Sequence, residues 1–88
     1  MEENEKDQLE DAIVIMETSL EAAKEQKVAL DKYCAQIAGI MEKLKTNEAK
    51  QELAEITQVN YKKMIELEVR IAEMEKQLGL MKIQALFS

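Results

Sequence analysis

The sequence has no tryptophan, no histidine and no proline, and only one phenylalanine, one cysteine and two glycines among its 88 residues. Each absence closes off a class of answer. Without histidine the commonest metal ligand and the commonest general base are missing. A single cysteine, Cys34, cannot form an intrachain disulfide framework, which fits a reducing compartment. A small globule with one compact core normally relies on bulky anchors, tight turns or covalent staples, and this chain has none of them. No apolar run approaches the roughly 20 residues needed to span a bilayer. The first seven residues are acidic and lack the apolar segment of a signal peptide. A cytoplasmic setting is therefore expected.

The residues that are present favour helix. Ala, Glu, Lys, Leu and Met dominate, charged residues make up 34% of the chain and apolar ones 47%. The net charge is −6 and unevenly spread: residues 1–25 hold nine acidic side chains against Lys6 and Lys24. Phosphate binding needs a basic stripe that releases counterions, so nucleic acid is not an expected partner. An anionic membrane surface is disfavoured on the same ground. The acidic first turn reads as compensation of the helix dipole.

From Leu9 to Leu44 apolar residues recur in alternating steps of four and three, with ten of eleven positions apolar. Leu9, Met16, Ala23, Leu30, Ile37 and Leu44 take the d positions; Ile13, Leu20, Lys27, Cys34 and Met41 take the a positions. A pattern sustained over so many heptads is the mark of coiled-coil packing. A second series runs from Ala49 through Leu53, Ile56, Asn60 and Met64 and continues to Ala85, with a stutter expected at Asn60. Between the two lies Lys45-Thr46-Asn47-Glu48, where Thr46 or Asn47 can cap a new helix and Glu48 suits its first turn. One helical domain over 1–88 is expected, with a first helix over about 4–45, a turn over about 45–48 and a second helix over about 47–86. The expected fold is all-α: an antiparallel two-helix coiled-coil hairpin, completed to a bundle by oligomerisation or a partner. The alternative is one continuous helix of about 120 Å in a parallel coiled coil.

A two-helix seam would leave further apolar surface in water. Residues 12–16 and 37–41 are apolar around more than half a turn. In the second segment Tyr61, Ile65, Ala72, Gly79 and Leu86 form a stripe beside the seam, extended by Val69 and Ile83. Contiguous exposed apolar patches are rare on soluble monomers, so this stripe is expected to dock another helix. The weakly charged C-terminal end, with Phe87, is either part of that docking surface or packs back near Leu9 and Ile13.

Individual residues have plain structural readings. Lys27 can lay its methylene stem over the seam and lift its ammonium to Glu66 or Glu68. Asn60 is expected to be partly wet, Cys34 to act as a small buried hydrophobe, and five of the six methionines to fill the seam. Gly39 has no specific account, whereas Gly79 would permit a close partner crossing. Carboxylate pairs such as Glu73 and Glu75 point different ways on a helix, and no nucleophile–base set, phosphate loop or metal cluster can be assembled. No catalytic, cofactor or metal site is expected.

The expected function is a non-enzymatic helical interaction protein, a small assembly subunit or adaptor whose partners are protein helices, from itself or another protein. The alternative is a small helical chaperone that holds an aggregation-prone helix of a secretion or assembly client. Secretion-system and phage-assembly chaperones share the size and acidity, a likeness of composition alone.

Overall fold

The computed structural model describes the backbone of residues 2–87 and the side chains of residues 4–87. Two helices account for it: α1, Glu2–Lys43, and α2, Asn47–Leu86. The side chains of Glu2 and Glu3, to which dipole compensation was assigned, lie outside the described residues.

The reversal takes three residues and needs no glycine. The chain leaves α1 through a tightened turn in which the Leu44 N–H donates to the Met41 carbonyl at 3.3 Å. Thr46 is extended (φ −102°, ψ 147°), and its hydroxyl accepts the Ala49 N–H at 3.2 Å. Its carbonyl accepts the Lys50 N–H at 3.2 Å. A threonine N-cap satisfies donors that the first helical turn leaves open. Lys43 in the last turn of α1 and Glu48 in the first turn of α2 each face the helix pole of opposite sign. Among the described residues no backbone φ is positive, so the turn is made from ordinary geometry and side-chain capping.

The two helices run antiparallel in a rod of 67 × 15 × 14 Å. That length excludes a single continuous helix. The radius of gyration is 19.8 Å, where a compact domain of this size would have about 12 Å. Cross-helix pairs fix the register: Glu17 meets Lys82, Lys24 meets Glu75, and Cys34 meets Met64.

Every expected seam residue of α1, from Leu9 to Leu44, is buried or half-buried. In α2 the seam differs at one point. Thr57, not Ile56, faces α1, and Ile56 stays 46% exposed. From Thr57 the heptad then runs through Asn60 and Met64 with regular steps of three and four, so the two steps of four expected around Asn60 fall instead around Leu53, between Ala49 and Thr57. Thr57 tolerates the seam because its hydroxyl donates to the Leu53 carbonyl at 2.8 Å, which satisfies it within its own helix.

Asn60 also departs from expectation. It is buried, and its Nδ2 has no hydrogen-bond partner. By the register it falls opposite Ile37, the most buried apolar residue. The regular heptad carries it to a d position, so the side chain points into the seam and not towards water.

Candidate helix-docking surfaces

A two-helix seam is wet at both edges. Leu20, Ala23, Ile37, Leu67 and Leu78 are buried, but no described side chain is fully enclosed. The accessible surface is 7215 Å², whereas a compact monomer of this mass exposes about 5,300 Å². The excess, on the order of 1,900 Å², is what a rod leaves uncovered.

One edge of the seam is held by ion pairs. Lys24 Nζ lies 3.3 Å from Glu75, Lys27 Nζ 3.5 Å from Glu68, and Lys82 Nζ 3.5 Å from Glu17. These side chains remain well exposed, so each pair contributes about 0–1 kcal/mol. Lys27 does what its a position required: the stem stays half-buried in the seam and the ammonium rises to Glu68. Cys34 is half-buried with its thiol, a free one, 3.6 Å from the Met64 sulfur. It packs as a small hydrophobe.

The stripe expected on α2 is solvent-facing. Tyr61, Ile65 and Val69 are exposed, as are Ala72 and Gly79 in the middle and Ile83 and Leu86 towards the end. Ile65, Val69, Ala72, Gly79, Ile83 and Leu86 lie on the outer side of α2, away from α1; Tyr61 leads into them from the ion-paired edge. Lys76 is the one charged residue within that outer spacing. A Cβ added to Gly79 would meet nothing within 4 Å, so no part of this chain crosses closely there. The same holds for Gly39.

The C-terminal end packs on α1 through Leu78, Met81 and Ala85, while its last two described residues stand free. Phe87 closes α2 with its N–H on the Gln84 carbonyl at 3.2 Å, and its ring is 86% exposed. It also stands apart from the stripe. Phe87 lies seven residues beyond Leu80 and shares that residue's side of α2, across the seam from the ion-paired edge. Leu86, 83% exposed, stays with the stripe.

A second set of exposed apolar residues forms another surface, which the apolar runs 12–16 and 37–41 mark only in part. Ile15, Tyr33 and Ile40 on α1, and Ile56, Val59 and Leu80 on α2, are all exposed. The signal was available: in α1 a second heptad runs from Ala12 to Ile40, one residue before the seam at each d-to-a step. It was hidden because Ala, Ser and Gln occupy much of it.

Among the described residues no three His, Cys, Asp or Glu side chains gather where they could hold a metal ion. Among the same residues no helix is long and apolar enough to cross a membrane. No protein-family model, curated protein or solved structure matches the chain.

Proposed function

We propose that this hairpin is a non-enzymatic interaction protein, an assembly subunit or adaptor that binds protein helices. The observation that carries the reading is the outward stripe of α2 through Ile65, Val69, Ala72, Gly79 and Ile83, which remains exposed although the seam is already filled. A helix apolar on two sides needs two neighbours, and the chain supplies one. The small residues Ala72 and Gly79 at its centre would let a partner helix approach closely. The lone unpaired thiol of Cys34 agrees with a reducing, cytoplasmic setting.

The test is capture with the full chain from its native source, wild type against a variant carrying Ile65→Glu and Ile83→Glu. Both residues are exposed, so circular dichroism should show unchanged helicity. The reading expects a discrete protein that wild type retains and the variant loses. Retention unaffected by the two charges would overturn it.

A second reading, a helical chaperone, is favoured by one observation. No described seam side chain is fully enclosed and Asn60 sits there unpaired, so the hairpin alone is weakly held. A client helix would then stabilise it by mass action. The two readings separate in the melting curve: a chaperone's transition is broad alone and sharpens with its client, whereas an assembly subunit melts cooperatively by itself or as a symmetric oligomer.

A further inference from the structure

We infer that the face of the hairpin opposite the ion pairs binds a second copy of the same chain, reversed end for end. This deepens the helix-docking reading and rests on it, but it concerns a different surface from the α2 stripe.

The face is built from both helices. Ala12, Ile15 and Ser19 of α1 lie beside Arg70, Glu73 and Gln77 of α2 along one shallow groove. Gln26 and Ala29 lie beside Lys63, Glu66 and Arg70 along the next. The ion pairs of Lys24 and Lys82 belong to the other side, with Glu21 and Val28.

Three properties make this face self-complementary. First, its α1 half, stepping in threes and fours from Ala12 to Ile40, contains no charged residue. Two copies can therefore meet there without like-charge contact. Apart from Ile15 the first half of this row is small (Ala12, Ser19, Ala22), and the second carries Tyr33 and Ile40. A reversed copy sets bulk against space.

Second, the α2 half is ordered by charge. Lys63, Glu66, Arg70 and Glu73 alternate in sign, and the same row read backwards is acid, base, acid, base. A reversed copy lays α2 over α2 and meets each charge with its opposite, whereas a parallel copy lays α2 over the uncharged row of α1 and pairs none of them. Beyond this row both ends are apolar. Ile56 and Val59 are level with Ile40 near the turn, and Leu80 and Phe87 are near Ile15 at the free end. Reversal places each apolar end over the other.

Third, the whole hairpin is polar in charge. Residues 1–25 carry a net −7 and the remainder +1. A parallel pair would stack the two acidic ends. A reversed pair sets them towards opposite ends of the 67 Å rod, with their centres several screening lengths of about 8 Å apart at physiological salt. The area suffices as well. A face 67 Å long and 15 Å wide offers on the order of 1,000 Å² per copy, so a pair would bury about 2,000 Å², within the range of stable specific interfaces.

The test is sedimentation equilibrium of the purified full chain with four variants. Wild type should be a dimer at micromolar concentration. Ala22→Glu puts a charge on an exposed site of the uncharged row and should weaken the dimer tenfold or more with helicity retained. Lys63→Glu should weaken it too, and adding Glu73→Lys should restore it, because the reversed row is complementary again. Ala72→Glu, on the α2 stripe, should leave it intact. Spin labels at Asp11 and at Glu25, in a Cys34→Ala background, report the direction. A reversed dimer gives between-copy distances that differ by on the order of 40 Å between the two sites. A wild-type monomer, a dimer broken by Ala72→Glu but not by Ala22→Glu, failure of Glu73→Lys to restore association, or equal distances at the two labels would each overturn the inference. Because only the purified chain is used, these failures leave the capture experiment on the α2 stripe unaffected.

Discussion

Lys27 stands in the middle of the α1 seam with its ammonium 3.5 Å from the Glu68 carboxylate of α2, the one charged side chain among the inward positions. Its partner is half exposed, so the pair gains little Coulomb energy and the seam loses an apolar contact. Lys27→Leu is therefore expected to stabilise the hairpin by roughly 1 kcal/mol for the added burial, read as a higher urea midpoint. Glu68→Ala should change stability by less than about 1 kcal/mol. A Lys27→Leu protein that is less stable than wild type would show that the lysine holds the register and does not merely tolerate its place.

Asn60 makes a larger claim on stability. Its Nδ2 is buried without a partner opposite Ile37. A buried unsatisfied amide costs about 1–3 kcal/mol, so Asn60→Leu should stabilise the hairpin by an amount of that order. Thermal and urea unfolding measure it. Loss of stability would mean that the amide is satisfied by water or by another chain.

The turn depends on one hydroxyl. The Thr46 side chain accepts the Ala49 N–H, and no glycine or positive φ assists it among the described residues. Thr46→Ala should cost about 1 kcal/mol, and Thr46→Ser or Thr46→Asp should recover most of it. Equal stability of all four proteins would show that the seam alone fixes the reversal.

The hairpin was legible in the sequence because period and length were both explicit. The α1 seam from Leu9 to Leu44 is read by counting, and every member faces inward. At Ile56 and Thr57 counting chose the more apolar residue, and the structure chose the one in register with Asn60 and Met64. Hydrophobicity misled there because a threonine can hide its hydroxyl on its own helix, as Thr57 does on Leu53. Asn60 was expected to be partly wet because the stutter was placed on it; the two steps of four fall at Leu53 instead, and Asn60 lies in the regular seam. The α2 stripe was visible because Ile, Val and Leu mark it. The face with Ala22 and Gln26 was not, since what distinguishes it is missing charge. That becomes meaningful only when the fold sets Lys63 to Glu73 beside it.

The difference between seam and stripe can be measured on two isoleucines. Ile37 is 4% exposed and Ile65 is 61% exposed. Truncating a buried isoleucine to alanine costs about 2–5 kcal/mol, a large share of the total for a small domain whose stability is about 0.05–0.15 kcal/mol per residue. Ile37→Ala should therefore leave the chain largely unfolded or strongly destabilised in circular dichroism. Ile65→Ala should stay within about 0.5 kcal/mol of wild type, as surface substitutions do. The same Ile65→Ala protein should bind its partner helix more weakly, because the side chain that folding does not use is the one that docking would bury. An Ile65→Ala protein as unstable as Ile37→Ala would place Ile65 in the folded core of the free protein and remove the stripe as a binding surface.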